Sequence, residues 1–87
     1  EMITREQMAV MIQNFINAAD IKISATDSYK QFKDDAEISS WAKDAVKFVQ
    51  TCGIINGKPD GNFDPKGMAT RAEAAKVTRI LMEKMGK

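Results

Sequence analysis

The chain has 87 residues, enough for one domain, and its 13 Lys and Arg residues against 12 Asp and Glu residues leave a net charge of +1. A charge so near zero argues against a purely electrostatic partner such as duplex DNA or an anionic membrane. Histidine is absent and Cys52 is the single cysteine, which excludes histidine acid–base catalysis, an internal disulfide and a cysteine-built zinc site.

The spacing of apolar residues predicts three amphipathic helices, over about residues 4–19, 40–52 and 70–85. Each predicted helix has an apolar stripe that we expect to face the core. The stripes comprise Met8, Met11, Ile12, Phe15, Ile16 and Ala19 in the first helix, Trp41, Ala45, Phe48, Val49 and Cys52 in the second, and Ala74, Val77, Ile80, Leu81 and Met85 in the third.

The two connections between the predicted helices differ in composition. Residues 20–38 are polar with scattered apolar anchors, whereas residues 53–68 contain four of the five glycines and both prolines. This density of Gly and Pro predicts a compact, turn-rich loop rather than a pair of strands. Gly53 stands where helices commonly end in left-handed backbone.

The first and third predicted helices open with the same design. Residues 3–7 (Ile-Thr-Arg-Glu-Gln) and residues 69–73 (Ala-Thr-Arg-Ala-Glu) lie 66 residues apart, and in each the Thr and the residue three positions later form a capping-box pattern. A shared pattern at fixed spacing is typical of a repeat array. We expect residues 1–20 to contain the closing helix of one repeat, residues 21–31 to be a linker and residues 32–87 to be a complete repeat.

Several short motifs follow one another along the complete repeat. They are Phe32-Lys33-Asp34, Trp41-Ala42, Gly53-Ile54-Ile55-Asn56-Gly57, Pro59-Asp60-Gly61-Asn62-Phe63-Asp64-Pro65 and Thr70-Arg71-Ala72-Glu73. In this order and spacing they resemble an S-layer homology (SLH) repeat over about residues 32–83, and residues 3–19 resemble the closing helix of a preceding repeat. The first helix departs from the family pattern, because its motif reads Thr-Arg-Glu-Gln.

The resemblance implies an all-α fold: a helix–loop–helix repeat with an additional N-terminal helix, as part of a multi-repeat or oligomeric bundle. It also implies a non-catalytic module in the cell wall or S-layer of the bacterial cell surface, binding a secondary cell-wall polysaccharide that often bears pyruvate ketals. The expected protein partners are neighbouring repeats or further copies of the chain. No cofactor, metal, nucleic acid or membrane insertion is expected.

The resemblance also implies ligand grooves between adjacent repeats, and the residue types suit an acidic sugar. A pyruvate ketal carries a carboxylate, which a planar guanidinium can hold at two points. We expect Arg5 to face Asp34, Trp41 and Gly57 in one groove, with Trp41 as a flat surface for a sugar ring. In that groove Asp34 accepts sugar hydroxyls or orients an Arg, and Gly57 allows close backbone approach. Arg71 needs a following repeat or subunit to complete its groove, and free amides at both helix starts add attraction for an anion.

The same residues have structural interpretations. Arg5 and Arg71 are also suited to structural ion pairs with Asp34 or Asp35. Asp34 is also suited to capping a loop or a helix, and Trp41 to a place in the core.

Other functions fit the sequence less well. Asp60, Asn62 and Asp64 alternate like the opening of a calcium loop, but Pro65 and Arg71 occupy the positions of the glycine and the closing acid that such a loop needs. A paired-carboxylate glycosidase is disfavoured because the acids fall in loops and caps. A helical self-association or protein-interaction module is the main alternative, because the three apolar stripes exceed what so short a chain readily buries.

Overall fold

The computed structural model describes residues 3–23, 25, 28–55 and 57–86. It contains α1 (Arg5–Ala18), α2 (Lys43–Thr51) and α3 (Arg71–Met85), with two short 3-10 helices, Asp35–Glu37 and Ser40–Ala42, before α2. Within these ranges there is no β-strand, and extended pairing is limited to one antiparallel bridge between Thr4 and Met68. The expected all-α fold is confirmed.

Some sequence expectations fall on residues outside those ranges. Asn56 of the glycine-rich motif, residues 24, 26 and 27 of the predicted linker, and the outermost residues of the two predicted repeat segments are not among those described. In the part of the chain that is described, no helix combines the length and apolar character needed to cross a bilayer.

Both predicted capping boxes are present. The Thr4 hydroxyl accepts from the Gln7 amide at 3.2 Å, and the Gln7 side chain accepts from the Thr4 amide at 2.8 Å. Thr70 and Glu73 repeat this arrangement at 3.1 and 2.7 Å. Each box satisfies two amides that the helix itself leaves unpaired, so α1 and α3 begin at the Arg that follows each Thr.

The core lies between α1, α2 and the loop of residues 53–68. Its buried apolar side chains are Met8, Ala9, Ile12 and Ile16 of α1, Ala45, Val46 and Val49 of α2, and Phe32, Ile38, Ala42, Cys52, Ile54, Phe63 and Val77 from elsewhere. α1 and α2 pack directly on each other, whereas α3 approaches neither of them within 8 Å between Cα atoms. α3 is therefore an outlying helix.

The predicted apolar stripes are buried only in part. Met11 is 58 % exposed and Phe15 49 % exposed on α1, and Val77 is the one buried residue of α3. The remote position of α3 explains both results, because these side chains line the open space between α1 and α3. The predicted place of Trp41 in the second stripe is wrong, since Trp41 is 60 % exposed. Residues 40–42 form a 3-10 helix with three residues per turn, which takes the indole off the stripe of α2.

The backbone brings the two Thr-Arg helix starts side by side. On either side of the Thr4–Met68 bridge, the Arg5 amide donates to the Gly67 carbonyl at 2.9 Å, and the Ala69 amide donates to the Ile3 carbonyl at 2.8 Å. The first turn of α1 is thus fastened to the segment that leads into α3.

Candidate functional site

Arg5 lies between two carboxylates from distant parts of the chain. Its Nε donates to Glu73 Oε2 at 2.8 Å, its Nη2 lies 2.7 Å from the same oxygen, and its Nη1 donates to Asp64 Oδ2 at 2.9 Å. The Arg5 side chain is 12 % exposed. The structural ion pair anticipated for Arg5 therefore exists, but the prediction that its acid is Asp34 or Asp35 is wrong.

Asp34 supports this ion pair indirectly. Its two carboxylate oxygens accept from the backbone amides of Phe63 and Asp64, at 2.9 and 2.8 Å. These bonds fix the loop next to the Asp64 side chain. Asp64 Oδ2 accepts from Arg5 Nη1 and, at 3.3 Å, from Lys58 Nζ. Asp34 thus stabilises the loop, and it orients Arg5 through Asp64.

A cleft of about 100 Å³ opens beside Arg5. Its charged lining consists of Arg5, Lys58, Glu73 and Lys76, and its apolar floor includes Phe63 and Val77. Three cationic side chains thus face one lining carboxylate, with Asp64 pairing from the rim. The cleft is suited to an anionic group attached to a body that has apolar faces.

Gly57 also lines this cleft, as expected of a residue that lets backbone approach a ligand. Its φ is +85°, and a Cβ built on it would lie 2.5 Å from Phe32 Cε1. Both the left-handed backbone and the contact with the Phe32 ring require glycine here. Gly57 is therefore a turn residue and a wall of the cleft at once.

The carboxylate of Glu73 is held in its charged form. Burial raises the pKa of Glu73, but hydrogen bonds from the Thr70 amide and from Arg5, together with the charge of Arg5, outweigh this effect and leave the pKa below its ordinary value. Glu73 thus remains an anion at neutral pH and holds the Arg5 guanidinium at the edge of the cleft.

The helix start of α1 does not offer free amides to a ligand. The Arg5 and Glu6 amides donate to the carbonyls of Gly67 and Pro65, at 2.9 and 3.1 Å, and the Gln7 amide donates to the cap. The expected contribution of free amides at this helix start is therefore wrong, and side chains supply the positive charge of the cleft.

Of the five expected site residues, Trp41 and Arg71 do not line this cleft, and Arg71 is the one that the sequence assigns to a separate groove. Trp41 is exposed and does not line the cleft, so neither its predicted burial nor its predicted proximity to Arg5 is seen. Arg71 opens α3 on the exposed surface, and it forms no ion pair or side-chain hydrogen bond with any residue that the structure describes. The structure therefore brings Arg5 and Gly57 together, links Asp34 to them through Asp64, and leaves Trp41 and Arg71 apart.

Sequence reasoning missed Lys58 and Lys76. Lys58 directly follows Gly57, and Lys76 lies three residues after Glu73, which places both lysines beside residues that were singled out. The spacing of Lys76 from the capping acid was the available signal. The convergence of Lys58 and Lys76 needed the path of the loop, which no local pattern gives.

Asp60, Asn62 and Asp64 of the calcium-like run line one open pocket, but their side chains are engaged by the protein itself. Asp60 accepts from the Asn62 amide at 3.0 Å, while Asp64 faces Arg5 and Lys58. Among the described residues, no three acidic or cysteine side chains gather as metal ligands would. Asp64 is thus engaged by cations of the protein itself.

Comparisons with known proteins identify the family of this chain. The family model for the S-layer homology domain matches residues 31–75, more than half of the chain. No solved structure matches.

Similar proteins are much longer than this chain. An exoglucanase of Acetivibrio thermocellus is 42 % identical over 82 residues, which are 94 % of this chain and 8 % of that protein. A cellulosome-anchoring protein of the same species is 40 % identical over 85 residues, covering 98 % of this chain and 19 % of its own length. A surface-layer protein of Lysinibacillus sphaericus is 42 % identical over 56 residues, covering 64 % of this chain and 5 % of its own length. The chain belongs to the S-layer homology domain family.

Proposed function

We propose that this chain is a non-catalytic module that attaches a larger protein to the bacterial cell surface by binding an acidic secondary cell-wall polysaccharide. The observation that carries the proposal is the cleft lined by Arg5, Lys58 and Lys76 above an apolar floor. A carboxylate-bearing sugar, such as one with a pyruvate ketal, matches both features: its carboxylate faces the cations, and its ring lies on the apolar surface.

The three cations have different parts in this proposal. Arg5 donates two of its five N–H groups, one from Nε to Glu73 and one from Nη1 to Asp64, and its Nη2 lies 2.7 Å from the Glu73 carboxylate. Lys58 shares the Asp64 carboxylate, whereas Lys76 is exposed and makes no ion pair with a described residue. Lys76 therefore has the charge most available to a ligand carboxylate, and Arg5 is the cation whose position is most firmly set.

The variety of activities named among the relatives supports the proposal that this chain is an attachment module. Proteins named as an exoglucanase, an amylopullulanase and a cellulosome-anchoring protein share this segment over 8 %, 4 % and 19 % of their lengths. Their names describe different activities, so what they share with this chain is unrelated to any one reaction. A segment that holds each protein at the cell surface explains that distribution.

The direct test is binding of purified cell-wall polymer, measured by calorimetry. We expect Lys76→Gln to weaken binding about fivefold or more, because one charge-assisted contact is lost. Lys30→Gln is the matched control, since Lys30 is exposed, does not line the cleft and forms no side-chain hydrogen bond or ion pair with a described residue. If Lys76→Gln and the unchanged chain have equal affinity for the polymer, the cleft is not the binding site.

A second arm tests the ligand chemistry. Removing the acidic substituents from the polymer should lower its affinity for the unchanged chain. That affinity should be no higher than the affinity of Lys76→Gln for intact polymer. Arg5→Ala should also weaken binding, and its affinity is measured well below its unfolding temperature because the variant also loses two ion pairs. Undiminished binding by Arg5→Ala would exclude Arg5 as a ligand contact.

A module for helical self-association is the second candidate, and one observation favours it. An apolar space of about 350 Å³ lies between α1 and α3, and the partly exposed Met11 and Phe15 line it. Light scattering with and without wall polymer distinguishes the two functions. Stable assembly in the absence of any affinity for the polymer supports this candidate against polymer binding.

A further inference from the structure

The cation with the most firmly set position in the cleft is held there by two carboxylates. Arg5 donates from Nε to Glu73 in the first turn of α3 at 2.8 Å, and from Nη1 to Asp64 in the turn-rich loop at 2.9 Å. Both acids therefore stand beside the side chain that attracts an anionic ligand. With Lys58 and Lys76 in the lining, three positive and two negative side chains leave the cleft with one net positive charge.

The role of Glu73 in the capping box does not require a negative charge. Its Oε1 accepts from the Thr70 amide at 2.7 Å, while its Oε2 faces Arg5. At the equivalent position of α1, the neutral side chain of Gln7 accepts from the Thr4 amide at 2.8 Å and completes the same capping box. The negative charge of Glu73 therefore acts on the cleft, and the helix start can form without it.

The loop around Asp64 is likewise held by main-chain contacts. The Asp64 amide donates to Asp34 at 2.8 Å, and the Asp64 carbonyl accepts from the Gly67 amide at 3.1 Å. Its φ of 59° lies in the left-handed region, which both Asp and Asn tolerate. The Asp64 carboxylate itself contacts only cations of the cleft, Arg5 and Lys58, among the residues that the structure describes.

An anion that enters this cleft is attracted by the three cations and repelled by the two carboxylates. Coulomb energy is proportional to the charge of the ion, so each carboxylate repels a doubly charged group twice as strongly as a singly charged one. The free energy needed to take an ion out of water rises more steeply, with the square of its charge in the Born description. One net positive charge therefore suits a single carboxylate and compensates a doubly charged group poorly.

We propose that Glu73 and Asp64 determine the charge selectivity of the cleft, so that it accepts singly charged acidic groups and discriminates against doubly charged ones such as phosphate monoesters. The inference rests on the proposed function, because it concerns the acidic group of a polymer bound at the same cleft. The cleft thereby distinguishes polymers that present isolated carboxylates from polymers that present phosphate monoesters. Both acids act through their charge and through Arg5, without contacting the ligand.

Two small anions of matched shape test the proposal without any polymer. Methyl sulfate carries one negative charge and sulfate carries two, and neither changes its charge near neutral pH. Their affinities are measured at constant, low ionic strength from the NMR signals of the Arg5 Nε–H group and the Lys76 side chain. We expect the unchanged chain to bind methyl sulfate at least as tightly as sulfate. Glu73→Gln should raise the affinity for methyl sulfate about threefold and that for sulfate about tenfold, because sulfate is relieved of twice the repulsion.

A second variant and a matched control accompany this measurement. Asp64→Asn removes the other carboxylate while Glu73 still holds Arg5, and it should shift the ratio of the two affinities toward sulfate as well. Glu83→Gln makes the same substitution at an exposed position of α3 that does not line the cleft, so it should leave the ratio unchanged. Urea unfolding of Glu73→Gln verifies that Gln preserves the capping box, as Gln7 does in α1.

The proposal is overturned if Glu73→Gln and Asp64→Asn leave the ratio unchanged, if Glu83→Gln shifts it as much, or if neither anion perturbs the Arg5 and Lys76 signals in any variant. Weaker binding of both anions by Glu73→Gln and Asp64→Asn also overturns it, since the acids would then act only by positioning Arg5. Binding of wall polymer to the unchanged chain decides the proposed function separately, so that the two ideas can fail independently.

Discussion

Glu6 is a departure from the family motif, and it has a structural role. The start of α1 carries Thr-Arg-Glu-Gln where the start of α3 carries Thr-Arg-Ala-Glu, and the structure explains the difference. The Glu6 side chain, 4 % exposed, accepts from the Ser39 amide at 2.9 Å, the Ser39 hydroxyl at 2.8 Å and Lys66 at 2.9 Å. Ser39 thereby ties α1 to the segment before α2.

Replacing Glu6 should make the free energy of unfolding less dependent on pH in the acidic range. We expect Glu6→Gln to lower the free energy of unfolding at neutral pH by about 2 kcal/mol, because the charged contact with Lys66 is lost and the remaining hydrogen bonds are weakened. Urea unfolding at several pH values measures the effect. The control is Glu83→Gln, an exposed glutamate of α3 without a described ionic partner, which should change little.

The direction of the pH dependence follows from the pKa of Glu6. Burial raises this pKa, but hydrogen bonds from Lys66 and Ser39 and the charge of Lys66 outweigh burial, so the folded pKa lies below the ordinary 4.5. The stabilisation is therefore complete above the unfolded pKa and is lost as the pH falls through the folded one. A Glu6→Gln penalty that stayed constant from neutral pH down to pH values below 4.5 would contradict this account.

At the scale of the helices, the position of a residue decides its burial more than its type does. Ala9 and Ala75 are the same residue at corresponding positions of two similar helices, yet Ala9 is fully buried and Ala75 is exposed. The cause is the neighbourhood, because α1 packs against α2 and α3 stands apart from both. Burial in α3 thus depends on contacts that its own sequence does not reveal.

This pair of alanines gives a matched experiment. We expect Ala9→Leu to destabilise the chain by about 1–3 kcal/mol, because the added carbons have no space between α1 and α2. Ala75→Leu should change the stability by less than about 0.5 kcal/mol, since the new side chain points to solvent. Thermal unfolding followed by circular dichroism measures both, and comparable losses for the two variants would show that α3 is more closely packed than described.

The features that sequence predicts well are those fixed by near neighbours in the chain. The capping boxes of Thr4 and Thr70 each link residues three positions apart, and they indicate where α1 and α3 begin. The partners of Arg5, 59 and 68 residues away, depend on how the loop returns to α1, and no spacing indicated Asp64 or Glu73. Trp41 was misassigned because a 3-10 turn and an α-helical turn look alike in an apolar pattern.

At the scale of the whole molecule, α1 is part of the core that the rest of the chain forms. Met8, Ala9, Ile12 and Ile16 of α1 are buried with residues of α2 and of the turn-rich loop. The region predicted from the sequence as a complete repeat therefore shares its core with α1.

Truncation at the two ends should have unequal effects. A chain that lacks residues 1–20 should lose cooperative unfolding, because the surfaces that α1 covers become exposed to water. A chain that lacks residues 82–87 should retain it, since Met82 and Met85 are 64 % and 45 % exposed. Circular dichroism during heating compares the two, and an intact transition in the first truncated chain would show that the repeat folds without α1.

The pairing of Arg5 with two acids also bears on how attachment responds to ionic strength. Positive and negative groups alternate within a few ångströms around the cleft, so their fields largely cancel beyond roughly one Debye length, about 8 Å in physiological saline. Added salt therefore has little long-range attraction to screen. We therefore expect the proposed binding of an acidic polymer by this cleft to depend less on ionic strength than binding by a cluster of unpaired cations would.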